Sequence, residues 1–127
     1  MKLMIPKLSK SIEDYLEIIY LLKKEKKDAR VKDIASRLNI SLPSVTEMMQ
    51  KLAAKNFIKY KKYEFIELTS NGEKIAKNIY SKHELLTDFF MILGVNKKTA
   101  LHDACLAEHL LSKETLNKIK KFVKEKS

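Results

Sequence analysis

The sequence predicts a mainly α-helical chain interrupted once by a short β-hairpin. Three observations carry this. Apolar residues recur at spacings of three and four along most of the 127 residues, only residues 57–69 break that period, and the chain holds just two Gly and two Pro. So few turn residues do not suit a many-stranded sandwich.

The elements follow in order. Ser11-Ile12-Glu13-Asp14 reads as a capping box, with Ser at the N-cap and an acid three residues on. The first helix it opens carries Ile12, Tyr15, Leu16, Ile19 and Leu22 on one face and ends in the charged run 23–28. A second helix is expected from Val31 to Leu38, followed by the short turn Asn39-Ile40-Ser41. Pro43 is tolerated in the first turn of a third helix, whose stripe is Val45, Met48, Met49 and Leu52 and whose end is expected near Ala54. Residues 57–61 and 65–69 are β-rich, and Lys62-Tyr63-Glu64 joins them with a connection of hairpin length. Ser70-Asn71-Gly72-Glu73 repeats the capping pattern. It opens a fourth helix bearing Ile75, Ile79, His83, Leu86, Phe90 and Leu93, closed by Gly94. Two more helices are expected, from about residue 97 to 111 and from 113 to about 124. With no flexible linker in sight, the joint between units is placed in the fourth helix: residues 1–75 form one domain and residues 76–127 a second.

Lys and Arg total 26 against 16 Asp and Glu, a net charge of +10. That balance points toward polyanions, although lysine also serves as an ordinary solvating residue. No apolar run approaches the roughly 18 residues of a membrane span, and the opening segment has no signal-peptide core before Pro6. One cysteine excludes an internal disulfide and fits a reducing cytoplasm.

Helix, helix, tight turn, helix, hairpin is the order of a winged helix-turn-helix. In that arrangement the N-terminal end of the third helix enters the major groove of double-stranded DNA and the wing lies along the backbone. The candidate DNA contacts are Ser41, Pro43, Ser44, Thr46, Glu47, Gln50 and Lys51 on that helix, with Lys61 and Lys62 on a wing also bearing Lys55 and Lys59. The competing reading is a three-helix core with a solvated hairpin.

A second constellation lies outside this unit. Cys105, Glu108 and His109 stand at i, i+3 and i+4, the spacing of one helix face, and offer ligand types for a borderline transition metal. Asp14 and Glu17 offer oxygens at i and i+3 of the first helix, and His83 offers a nitrogen from the fourth. Each has a plain alternative: Asp14 as part of the capping box, Glu17 as a partner for lysines, His83 as a core histidine, Cys105 as a small buried hydrophobe, and Glu108-His109 as a solvated helix patch.

Four blocks in order carry a resemblance: residues 11–20 (SIEDYLEIIY), Pro43-Ser44-Val45-Thr46 with Met48-Met49-Gln50-Lys51-Leu52, Lys82-His83-Glu84-Leu85-Leu86, and residues 105–112 (CLAEHLLS). Together they resemble the diphtheria toxin repressor and manganese transport regulator family of metal-dependent transcriptional repressors. The resemblance implies a homodimer with an N-terminal winged helix, a helical dimerisation region and a divalent metal bound between them. The implied ligands are Asp14, Glu17, His83, Cys105, Glu108 and His109. Manganese-type members have glutamate where this chain has Cys105; iron-type members have cysteine there but methionine at the place of Asp14. The implied ion is therefore Fe2+ or Mn2+, with Zn2+ or Co2+ drawn by the thiolate. A chain ending at Ser127 is not expected to hold the SH3-like third domain of larger members.

The expected function is a cytoplasmic repressor that senses iron or manganese, binds a palindromic operator as a homodimer and controls metal homeostasis genes. Leu101, Leu106, Leu110, Leu111, Leu116 and Ile119 are the expected dimer core. One rival is a winged-helix regulator sensing an organic ligand or redox state through Cys105. Another is a small metal hydrolase, disfavoured because the sequence has no HExxH pattern and little loop from which to build a pocket. The chain is therefore not expected to be an enzyme.

Overall fold

A computed structural model describes residues 9–26, 28–61 and 65–126. The chain divides into two compact units, Met1–Lys77 and Asn78–Ser127. The first holds helices α1 (Lys10–Lys26), α2 (Val31–Leu38) and α3 (Leu42–Ala54), strands β1 (Ile58–Lys59) and β2 (Glu67–Leu68), and the start of α4 (Ser70–Ile92). The second holds the rest of α4 with α5 (Lys97–Ala107) and α6 (Lys113–Lys126).

Both helix starts expected at serines begin earlier in the chain. Ser9 caps α1, its hydroxyl accepting the Ile12 N–H at 3.2 Å, and Asp14 instead meets Lys10 Nζ at 2.8 Å. Thr69 caps α4 by accepting the Gly72 N–H at 3.1 Å, while its own hydroxyl donates to the Asn56 carbonyl at 2.8 Å. In each case the capping hydroxyl stands one or two residues before the expected serine and so adds residues to the helix while keeping a capping hydrogen bond. The α2 boundaries agree with the sequence. Its start is held by the Arg30 N–H donating to Asp33 Oδ2 at 3.2 Å, and its end by Asn39 in the left-handed region, at φ 57°.

The strands are shorter than expected, two residues each, paired antiparallel with Ile58 opposite Leu68 and Lys59 opposite Glu67. A third segment joins them, Ala29 bridging Ile66. Composition did not announce it, because a single bridge needs only one residue in register. The connection with Lys62 lies outside the described residues.

The core of the first unit is the stripe of each helix brought face to face. Leu16, Ile19, Leu22, Ile34, Val45, Met49, Leu52 and Ile66 are all sealed from solvent. Burying each large aliphatic side chain contributes roughly 1.5–3 kcal/mol. Tyr15 joins this core, and burial pushes its phenol above the ordinary range. Gly72 lets the first turn of α4 lie against the Phe57 carbonyl, where a Cβ would collide.

In the second unit Leu86, Ala104 and Leu116 form a smaller core, flanked by Leu85, Phe90, Ala107, Leu111 and Ile119. Phe89 and Phe122 meet edge to face at 5.7 Å. Gly94, at φ 102°, closes α4: its N–H reaches the Met91 carbonyl and that of Val95 reaches Phe90, both at 3.0 Å. Asn96 caps α5 and Ser112 caps α6, by accepting the N–H groups of Thr99 and Thr115. α5 stops at Ala107, four residues before its expected end, because the chain must turn to reach the Ser112 cap. Of the expected dimer core, Leu116 is buried in the unit's own interior, with Leu111 and Ile119 partly buried against it. Leu101, Leu106 and Leu110 remain exposed.

Candidate metal centre and nucleic-acid interface

Glu108 sits at the C-cap of α5, with φ −60° and ψ −22°, and its N–H still donates to the Ala104 carbonyl at 3.0 Å. The carboxylate is buried, with only 2% of the residue exposed. One oxygen, Oε1, lies 3.3 Å from His83 Nδ1 of α4. The other, Oε2, is buried with no hydrogen-bond partner among the described residues. A buried polar atom left unpaired costs about 1–3 kcal/mol, more when charged. Here the cost is compounded, because the carboxylate stands at the negative end of a helix with no basic residue in its last turn.

A divalent cation would answer both terms. Donors about 2.1 Å from one ion stand roughly 3.0–3.4 Å apart, the lower value octahedral and the higher tetrahedral. The separation of His83 Nδ1 and Glu108 Oε1 falls in that range. The residues present fit a metal.

The His83 side is held in place. Thr87, one turn on and buried, donates its hydroxyl to the His83 carbonyl at 2.8 Å, and the Tyr80 ring stacks on the imidazole with centroids 6.5 Å apart. Neither support was among the residues expected at the site. A threonine four residues after a candidate ligand was the available signal for one of them.

The other predicted ligands are distributed as follows. In the first unit, Glu17 is buried on α1 and Asp14, one turn earlier, is half-buried and paired with Lys10. In the second, His109 follows Glu108 in the turn beyond α5 and is half-buried, whereas Cys105 is exposed on α5. The triplet expected on one helix face therefore straddles a helix end. Only Cys105 lies within α5.

The DNA-facing candidates stand on α3 and the wing. Ser41 is the N-cap, accepting the Ser44 N–H at 3.3 Å and donating its hydroxyl to Ser44 Oγ at 2.9 Å. Pro43, Ser44, Glu47, Gln50, Lys51 and Lys61 are exposed and Thr46 is half-buried. Lys62 lies outside the described residues. Among the described residues no helix is long and apolar enough to cross a membrane.

Comparison with known proteins bears on both sites. The model of the iron dependent repressor N-terminal DNA binding domain matches residues 7–65, and that of the iron dependent repressor metal binding and dimerisation domain matches residues 69–126. The HTH-type transcriptional regulators MntR of Geobacillus thermodenitrificans and Bacillus subtilis are 43% and 44% identical over 109 residues, covering 86% of this chain and 77% of each relative. The manganese regulator SloR matches with a TM-score of 0.76 at 31% identity, over 95% of this chain and 55% of that one. ScaR with bound Zn2+ matches with a TM-score of 0.74 at 30% identity, over 89% of this chain and 53% of that one. The chain spans about half the length of these solved relatives. It belongs to the iron-dependent repressor family, the metal-dependent transcriptional repressors of the diphtheria toxin repressor and manganese transport regulator type.

Proposed function

We propose that this chain senses intracellular Fe2+ or Mn2+ in the cytoplasm and, as a homodimer, represses metal homeostasis genes by binding a palindromic duplex. Its work is regulation and not catalysis. The observation that carries the reading is the buried Glu108 carboxylate, with one oxygen beside His83 and the other unpartnered among the described residues.

The proposed ligands are Asp14, Glu17, His83, Cys105, Glu108 and His109. When bound, the ion supplies the positive charge that this set of carboxylates, imidazoles and thiolate lacks. Oxygen and nitrogen donors favour manganese or ferrous iron, and a thiolate would raise the claim of zinc or cobalt. Ligands on α1 would tie metal binding to the placement of α3, which belongs to the same unit. A coupling of about 1–3 kcal/mol would change operator affinity about 5–150-fold. On the DNA side, Ser41, Pro43, Ser44, Thr46, Glu47, Gln50 and Lys51 would touch bases and phosphates, and Lys61 and Lys62 would neutralise phosphate charge.

The test measures affinity for a palindromic promoter duplex with manganese, iron, cobalt or zinc and then with chelator. Metal is expected to tighten binding by the range above, and chelator to reverse it. An affinity indifferent to both treatments defeats the proposal. His109→Ala should abolish the metal response while leaving weak, salt-sensitive binding.

A further inference from the structure

We propose that Leu42 reads thymine: its side chain packs against the 5-methyl group of a thymine in the major groove, so that it helps set the sequence preference. This rests on the DNA-binding reading above and deepens it. Leu42 is the first residue of α3, directly after the Ser41 cap, and is 53% exposed. Val45, Met49 and Leu52 continue its register along the helix and are fully buried. The apolar stripe of α3 thus overhangs the core by one residue, at the end from which a helix of this type enters DNA. Ile40, in the turn before the cap, is exposed as well, at 37%.

Solitary exposed leucines are common and need no explanation. The place of this one is what matters. The N-terminal residues of the second helix in a helix-turn-helix reach base edges. The apolar group that a base pair displays in the major groove is the thymine methyl; the other edges there present donors and acceptors. A leucine at this position gains contact only against thymine, and against any other base it covers a polar edge. Its direction is set before DNA arrives. The Ser41–Ser44 hydrogen bonds hold the first turn, and the Ile40 N–H donating to the Ala35 carbonyl at 3.0 Å, beside Asn39 in the left-handed region, holds the turn before it. The exposed lysines Lys51, Lys55, Lys59 and Lys61 of the same unit supply the charge that phosphates require.

The experiment uses the metal-loaded full chain and duplexes that it enriches from a randomised pool. Thymines of one half-site are replaced singly by deoxyuridine, which lacks only the methyl, and binding is read by fluorescence anisotropy. At one thymine the replacement should weaken wild-type binding about fourfold, the worth of one buried methyl. The same replacement should cost nothing in Leu42→Ala and Leu42→Gln. The proposal is overturned if no single replacement weakens the wild type, or if the penalty persists in both variants. The wild-type arm stands whether or not the variants fold. If the metal-loaded wild type enriches no sequence at all, the DNA-binding reading fails first, and the two failures are distinguishable.

Discussion

Glu108 is costly to bury and useful only if something answers its charge. Replacing it with Gln keeps the shape and removes the charge, so Glu108→Gln should melt no lower than the wild type in chelator. Manganese at about 100 times its dissociation constant should stabilise the wild type by about 2.7 kcal/mol and the variant by almost nothing. Thermal melts with and without metal read both arms; an undiminished metal response in the variant would remove Glu108 from the site. Cys105 calls for a different comparison, because thiolate and hydroxyl differ most towards softer ions. Cys105→Ser should weaken zinc and cobalt binding more than manganese binding, as titration calorimetry of the three would show. Equal losses for all three would mean that the thiolate is no ligand. The sequence offered Cys105, Glu108 and His109 as ligand types at i, i+3 and i+4, and His83 as a lone nitrogen on another helix. The sequence could not show that Glu108 stands at a helix end with one oxygen unpartnered among the described residues, because that depends on where Ser112 turns the chain.

At the scale of elements, packing decided what local signals left open. The sequence placed the two caps at Ser11 and Ser70, and the structure puts them at Ser9 and Thr69, each of which adds residues to its helix while keeping a capping hydrogen bond. Thr69 also ties α4 to the carbonyl of Asn56, so the wing and the helix after it are joined at one side chain. Gly72 completes that joint. Besides the collision with the Phe57 carbonyl oxygen, a Cβ there would lie 3.0 Å from the Phe57 carbonyl carbon and 3.3 Å from Leu68 Cδ2. Two of these three atoms are backbone, which cannot swing aside. Gly72→Ala should therefore destabilise the first unit by about 1–3 kcal/mol despite the better helix propensity of Ala. Urea denaturation measures this, and a neutral or stabilising result would show that the helix shifts freely against the wing.

On the scale of the whole molecule, the exposed apolar residues left on the second unit are where a second copy should seat. Leu110 is 76% exposed and its neighbour Leu106 is exposed on the end of α5, while the unit's own core is already filled by Leu86, Leu111 and Leu116. Leu110→Glu should leave the monomer folded, since its own interior loses nothing, and should shift the mass seen by light scattering from dimer to monomer. Affinity for a palindrome should fall with it, because one reading helix cannot hold two half-sites roughly 34 Å apart. A variant that remains dimeric would place the interface on another face.

By itself the sequence determined the order of elements, the winged helix-turn-helix class and the family. These depend on side-chain type and on a spacing of three and four, which the chain carries wherever it goes. Three things were left to the tertiary structure. It ended α5 at Ala107, leaving Glu108 as a buried carboxylate with one oxygen unpartnered among the described residues. It drew Leu111, Leu116 and Ile119 inward and left Leu110 outside. It also stopped the core one residue short of Leu42, a position that periodicity alone would bury. The reason is common to all three: periodicity fixes the direction in which a side chain points, and only the neighbouring element settles whether anything is there to meet it.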